Sequence, residues 1–316
     1  MGQFVDIAQG YLAEKRAVGF KMEKGEAFVA RLDALRSELG CPENAITKGL
    51  HDAWTTKRPG ETESSRAHRV SQVRGLAEYM ARMGYEAYIA PGKQAAVRRG
   101  PYDPYIFTKE EVSKLLSAAD EMAEGDGPAG RNSQMALMLR LLYTTGMRCG
   151  EACSLTKADV DLDAGIVTVR HAKNDKDRLV PLHPAMAEHL RGFSNAASLD
   201  RRYQAIPSFW LMPQGCVMST GTVYAFFRKA LWAARISHGG RGKGPRVHDL
   251  RFTFACHRLQ AWVAEAADVN ALLPVLAAYM GHADTRCTEY YLRLTAQLYP
   301  TIVDQVEKEC GWVVPR

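Results

Sequence analysis

Four short segments hold side chains that together could transfer a phosphoryl group. The first runs Thr145-Gly146-Met147-Arg148-Cys149-Gly150-Glu151. A glycine turn after a largely apolar stretch puts the Arg148 guanidinium at the rim of a packed core, and its planar fork suits phosphate or carboxylate. Glu151, three residues on, is a simple alternative partner for it. The second is the polar turn Lys173-Asn174-Asp175-Lys176-Asp177. A lysine on a turn can reach into a cleft and donate a proton, or it can be a surface turn and nothing more. The third is His248-Asp249-Leu250-Arg251, preceded by a flexible, glycine-rich basic stretch with Arg241, Lys243 and Arg246. At i,i+3 spacing His248 and Arg251 share a helix face and can address one ligand. A histidine at that place can equally serve the backbone. The fourth is Gly281-His282-Ala283-Asp284, then Thr288-Glu289-Tyr290-Tyr291. A lone tyrosine there would be core filler with a satisfied hydroxyl. As a set, the groups form a phosphoryl-transfer kit that needs no metal. Arginines neutralise the non-bridging oxygens, a lysine or histidine protonates the leaving oxygen, and tyrosine attacks to give a covalent intermediate.

Two folded parts must position these groups. Residues 1–90 read as helical, with helices expected over 4–18, 24–39, 46–56 and 64–83. Phe28, Leu32, Leu35 and Leu39 form one apolar stripe, and Val70, Val73, Leu76, Ala77 and Met80 another. Gly40, the turn Arg58-Pro59-Gly60 and Gly84 stop the helices. The last of them carries Arg66, Arg69 and Arg74 with no acid between 64 and 77, mostly away from its stripe, a basic face that can be simply solvated or can meet an anionic partner. Residues 91–104 hold three prolines, two glycines and three basic residues, the composition of an extended linker. Residues 105–316 are mixed. Thr108 and Glu111 open a helix as a capping box. A buried helix is expected over 133–144 and a short one after Gly146. Strands over 165–170 and 178–182 make a hairpin. Further helices are expected over 184–193, 220–236, 249–263, 270–280, 285–292 and 296–308. The fold class is therefore mainly α with a small β-hairpin.

Composition narrows the classes. Of the 316 residues 47% are hydrophobic and 24% charged, which excludes disordered, collagen-like and coiled-coil chains. The richest apolar run, 135–145, is interrupted by Arg140 and is too short to span a membrane. The N-terminus lacks the basic-then-apolar order of a secretion signal, so a cytoplasmic protein is expected. The net charge of +6 permits a nucleic-acid partner without demanding one. Seven cysteines, an odd number without a C-x-x-C pair, fit reduced thiols. Cys149 and Cys153 at i,i+4 lack a nearby third ligand, so no metal site and no cofactor are expected.

The segments TGMRCGE, HAKNDKDRLVPL, HDLRFTFA and YMGHADTRCTEYY, in this order, resemble the tyrosine recombinases, or phage-integrase family. The resemblance covers about 106 to the C-terminus, and the helical region 1–90 is similar to the family's core-binding (SAM-like) domain. It implies that Arg148, Lys173, His248, Arg251 and His282 are catalytic and that Tyr291 is the nucleophile. Glu151 would brace the site, with Lys176 the lesser candidate for the lysine. It implies an α+β catalytic domain over 105–316, ending in a helix that docks on a neighbouring protomer. It implies a site-specific DNA recombinase that acts through a 3′-phosphotyrosine, as a homo-tetramer on two double-stranded DNA sites, associated with the nucleoid when bound. Accessory DNA-bending proteins would be possible partners. Arg66, Arg69, Arg74, Lys176, Arg241, Lys243 and Arg246 would contact DNA. Phe252 stands where the family often has histidine. The tail after Tyr291 resembles recombinases of transposons and integrative elements, so integration or excision of a mobile element is the expected role. The alternatives are type IB topoisomerase-like relaxation and a non-catalytic DNA-binding accessory factor.

Overall fold

A computed structural model describes residues 2–91, 104–170, 177–212, 218–240, 244–282 and 291–292. The chain divides into two compact units, Met1–Tyr102 and Asp103–Arg316.

The first unit packs α1 (Gln3–Ala17), α2 (Gly25–Glu38), α3 (Lys48–Thr55) and α4 (Glu63–Arg82) around Phe4, Leu12, Phe28, Leu32, Leu50, Trp54, Leu76 and Met80. The stripe on α4 is buried as its spacing requires. The α2 stripe ends early, because Leu39 is the C-cap and lies exposed. The third helix also starts later than its apolar pattern suggests. Thr47 caps it by accepting from the Leu50 N–H, so Ala45–Ile46 is left to form β1, parallel to β2 (Glu86–Ala87).

One reading of the basic face is corrected. Arg69 is a buried framework residue. Its Nε and Nη2 donate to the two Glu61 oxygens at 2.7 and 2.6 Å, and Nη2 also reaches the Thr56 carbonyl. Its guanidinium lies over the Trp54 ring. Hydrogen bonding from Arg69 holds the Glu61 carboxyl down at about 2. The helix face that looks acid-free along the sequence is thus met by acids brought from elsewhere. Arg66 and Arg74 remain half-buried at the surface, beside Glu63 and Glu78.

In the second unit α5 (Lys109–Glu121) starts with the expected capping box between Thr108 and Glu111. The long buried helix α6 (Arg131–Thr145) ends at Gly146, whose φ of +61° suits glycine. A side chain there would also run into the Phe254 ring. The five-residue α7 (Cys149–Cys153) follows. Strands β3 (Val160–Asp161), β4 (Ile166–Val169) and β5 (Arg178–Pro181) form an antiparallel sheet in that order, so a third strand joins the expected hairpin. Then come α8 (Pro184–Ser198), α9 (Arg201–Ala205), α10 (Thr220–Ala233), α11 (Asp249–Ala264) and α12 (Val269–Met280). The helix expected over 184–193 runs on to Ser198, where Phe193 and Ala197 still bury their faces. The helix expected to reach 236 stops at Ala233, because Arg235 takes a positive φ of 56°. Of the expected helix 285–292 only 291–292 are described, and they are helical. The tail helix over 296–308 lies outside the described residues.

Two polar ties hold the segment around Trp210 and Leu211 against α7 and α6. Trp210 Nε1 donates to the Ala152 carbonyl at 2.7 Å. The buried Gln134 side chain on α6 both donates to the Leu211 carbonyl and accepts from its N–H. Leaving such groups unpaired inside the core would cost about 1–3 kcal/mol each, so the platform under Arg148 is rigid.

The Arg69 geometry makes a prediction. Arg69→Ala should lower the thermal unfolding midpoint by several degrees in the absence of any DNA, whereas Arg74→Ala should leave it within about a degree, because surface pairs contribute little. Differential scanning calorimetry of the two variants checks this.

Candidate active site

The site is built where the ends of α6, α7, β5, α11 and α12 meet. Arg148 is the N-cap residue of α7. Its backbone N–H donates to Glu151 Oε2 at 2.9 Å and its Nη1 to Oε1 at 2.7 Å. So the i,i+3 partner offered by the sequence is real, but it does not use up Glu151. Arg178 enters from β5 and donates Nη2 to Oε2 at 2.6 Å and Nη1 to Oε1 at 3.1 Å. One carboxylate therefore bridges two guanidiniums. Burial raises the Glu151 carboxyl, but hydrogen bonds from Arg178 and Arg148 win and leave it at about 2.

Arg178 was missed in the reading of the sequence. A signal was available: it shares the inward face of β5 with the buried Val180, while the apolar Leu179 between them points outward. A charged residue on a buried strand face needs a partner. Its Nε donates to the Tyr279 carbonyl at 3.0 Å, which ties β5 to α12. Gly281, with φ +68°, lets the guanidinium approach closely, since a Cβ there would lie 2.9 Å from Arg178 Nη1.

Arg251 is the most buried cation of the site, 2% exposed on α11. Nη1 donates to the Gly146 carbonyl at 2.6 Å and Nη2 to the Met280 carbonyl at 2.7 Å. Nη2 also lies 2.9 Å from His282 Nε2. A guanidinium only donates, so Nε2 accepts and the His282 hydrogen sits on Nδ1. Burial, with the nearby cations, lowers Arg251 to about 10.

Tyr291 completes the cluster and is 4% exposed. Its ring lies nearly parallel to His282, with centroids 5.7 Å apart. Phe252 packs against it at 5.3 Å and in turn carries His248 edge-on at 5.3 Å. The position where the family often has histidine is thus an apolar wall between His248 and Tyr291. Burial raises the Tyr291 hydroxyl, and the charge and hydrogen bond of Arg251 pull it back toward the phenolate. Burial and then the surrounding arginines hold both His248 and His282 at about 4, so each is neutral at pH 7. His248 keeps an exposed edge despite this crowding. It makes no side-chain cap to α11. Asp249 Oδ2 instead accepts from the Arg246 N–H at 2.8 Å in the turn before it.

The structure thus assembles Arg148, Glu151, His248, Arg251, His282 and Tyr291, adds Arg178, and places exposed Arg246 just before α11. Lys173, Lys176, Arg241 and Lys243 lie outside the described residues. Cys149 Sγ and Cys153 Sγ are 4.0 Å apart. Among the described residues no three His, Cys, Asp or Glu side chains gather as a metal site, and no helix is long and apolar enough to cross a membrane.

Two arginines bridged by one carboxylate, with a third arginine beside a buried tyrosine, make a pocket for an anion that a phenol can attack. The chain belongs to the phage integrase family, whose model matches residues 106–297. It is a tyrosine-type, site-specific DNA recombinase, an enzyme that cuts and rejoins DNA. It is 33% identical over 98% of its length, and 98% of the other chain, to y4rB of Sinorhizobium fredii, whose name carries the words integrase/recombinase. To tyrosine recombinase XerA of Thermococcus kodakarensis it is 30% identical over 61% of this chain and 60% of that one. Among solved structures, the fold is shared with XerH recombinase bound to a palindromic difH substrate. The TM-score is 0.64 at 19% identity, over 92% of this chain and 79% of that one. It is shared too with the Tn1549 transposon integrase in complex with circular intermediate DNA. There the TM-score is 0.60 at 16% identity, over 90% and 94%.

Two predictions arise from the charges. Glu151→Gln leaves the Arg148 and Arg178 cations facing each other, and should cost about 3 kcal/mol by urea unfolding. Saturating duplex DNA, a polyanion, should recover part of that loss. The second concerns pH. The folded His248 and His282 titrate near 4, below the ordinary 6.5 of an unfolded histidine. The unfolded chain therefore takes up more protons as pH falls from about 6.5 to 4, and stability falls in that window. His248→Asn with His282→Asn should flatten the drop in urea midpoint between pH 7 and 5.

Proposed function

We propose that Tyr291 is the nucleophile of strand cleavage and that Arg148 and Arg251 clamp the scissile phosphate. The carrying observation is the buried Tyr291 ring stacked on His282, with the Arg251 guanidinium shared between them. The phenol oxygen attacks phosphorus, the P–O bond to the 5′-oxygen breaks, and a 3′-phosphotyrosine forms. Charge on the non-bridging oxygens is met by the two arginines, Arg148 held by Glu151 and Arg251 by the Gly146 and Met280 carbonyls. Neutral His248 is the base at hand for the phenol proton, while His282, whose Nε2 accepts from Arg251, positions the Tyr291 ring stacked on it. Lys173 donates the proton to the departing oxygen, with Lys176 the alternative. Rejoining is the same exchange run backward with a new 5′-hydroxyl. No cofactor enters these steps.

Double-stranded DNA is the partner. Residues 1–90 act as the core-binding domain and 105–316 as the catalytic domain, joined by the 91–104 linker. Four protomers act on two sites, with accessory DNA-bending proteins as further partners. The reaction takes place in the cytoplasm, on nucleoid DNA. The role is integration or excision of a mobile element. The likeness to an integrase/recombinase over nearly the whole chain, and the fold shared with a transposon integrase, support that reading.

The experiment is to trap a covalent protein–DNA adduct on nicked duplexes taken from the DNA flanking the gene. The wild type should form the adduct and Tyr291→Phe should not. Survival of the adduct in Tyr291→Phe and its loss in Tyr290→Phe would overturn the choice of nucleophile. Excess EDTA should leave the yield unchanged, since the arginines supply the positive charge. Joining of two sites distinguishes recombination from type IB relaxation of one duplex, and failure of any adduct would favour an accessory DNA-binding role. On a 5′-phosphorothiolate strand, whose sulfur leaves without a proton, Lys173→Ala should regain most of its rate. That rate loss is about a hundred- to ten-thousand-fold on ordinary DNA.

A further inference from the structure

The helical unit contains a small polar cavity of about 40 Å³, lined by His51, Thr55, Arg66, Val70, Arg74, Ala90 and Pro91. By volume it admits roughly two or three oxygen-sized atoms. His51 forms its inner wall on α3 and is 4% exposed. The ring is held by two contacts: Nδ1 lies 3.0 Å from Asp52 Oδ1, and Tyr88 packs edge-on at 5.1 Å. A carboxylate only accepts, so Nδ1 carries the hydrogen of that bond. The other nitrogen, Nε2, is buried with no hydrogen-bond partner among the described residues. A buried polar atom in a native protein calls for an explanation.

The surroundings say what would satisfy it. Arg66 and Arg74 on α4 line the same cavity. Arg66 uses Nε on the Thr55 carbonyl at 3.0 Å, and Arg74 uses Nε on Glu78 at 2.8 Å. Those bonds fix the arms of the two guanidiniums while leaving other N–H groups to donate. The Thr55 hydroxyl is turned to the His51 carbonyl at 2.9 Å, so it offers lone pairs rather than a hydrogen. Two cations and an imidazole at one small opening suit a phosphate oxygen.

We propose that this cavity seats a phosphate oxygen, bound by Arg66, Arg74 and His51 Nε2–H. It rests on the reading of residues 1–90 as the DNA-binding unit, with a backbone phosphodiester as the natural source; free inorganic phosphate has the same chemistry. Because Nδ1 already donates to Asp52, Nε2 can donate only when the ring is protonated. Binding therefore takes up a proton. The charged and titratable groups facing the ring are Asp52 on α3, Arg66 and Arg74 on α4, and Tyr88 after β2. Unlike Arg69, which is buried with Glu61, Arg66 and Arg74 are only half-buried, and their surface pairs with Glu63 and Glu78 are of a kind that an outside anion can displace.

The test uses the full chain with ¹⁵N-labelled histidine. Inorganic phosphate is titrated at constant ionic strength against chloride, and then a non-specific duplex is added. His51→Phe, which keeps a ring against Tyr88, identifies the His51 signals. Arg74→Ala, a surface change, serves if that variant does not fold. The His51 nitrogens should move saturably toward the protonated values with phosphate but not with chloride. The phosphate needed should rise about fivefold in Arg74→Ala, the loss of one charge-assisted hydrogen bond. The same movement on adding duplex assigns the cavity to the DNA backbone, and movement with phosphate alone assigns it to the free ion. No movement with either, in a wild type that still forms the covalent adduct, overturns the cavity and leaves the recombinase mechanism standing. Movement in a wild type that forms no adduct does the reverse.

Discussion

The geometry of the site depends on burying a charge. Arg251 sits almost out of water and stays protonated, although burial lowers its pKa to about 10. A guanidinium in such a place demands acceptors on every side. It finds them at the last residues of two helices, Gly146 after α6 and Met280 at the end of α12, and on His282 just beyond. Helix C-termini present unpaired carbonyls and negative dipole ends. One cation thus satisfies groups that two helices would otherwise leave unpaired, and in doing so fixes where His282 stands. Tyr291 is placed in turn by stacking on that histidine.

Glu151 makes the second hub. It spans the Arg148 of α7 and the Arg178 of β5, so a helix, a strand and, through the Tyr279 carbonyl, α12 share one network. The network carries excess positive charge by construction. That excess sets the cations against one another, a repulsion that an anion drawn among them would relieve. The neutral histidines follow from the same excess, since neighbouring cations disfavour a further proton. A pocket that repels protons from its histidines keeps them neutral at physiological pH.

Apolar packing places side chains of the site as well. Phe252 separates His248 from Tyr291 while touching both. Trp210 ties α7 down through the Ala152 carbonyl, and Gln134 ties the neighbouring Leu211 backbone to α6, so Arg148 is presented from a rigid cap rather than a loop.

The segments that build the site were legible in the sequence because each is a local signal. Gly146 and Gly281 announce helix ends, Thr108 and Glu111 announce a helix start, and His248 and Arg251 share a face by spacing alone. Alternation of β-branched residues announced the first strand of the hairpin, the polar turn after it announced the second, and the apolar stripe of α4 announced its buried side. The sequence by itself also held the order of residue types from which the family was identified. Only the tertiary structure decided which charges are available. Arg69 looks like its neighbours along α4, yet Glu61 reaches it from outside the helix and removes it from the surface. Arg178 looks like a strand-end cation, yet it is half of the Glu151 bridge. His51 has no motif at all, and its buried nitrogen is visible only once α3 and α4 pack. The physical reason is the same in each case. Secondary structure follows from neighbours within about four residues, whereas desolvation and pairing depend on groups that are distant along the chain and meet only in the folded core.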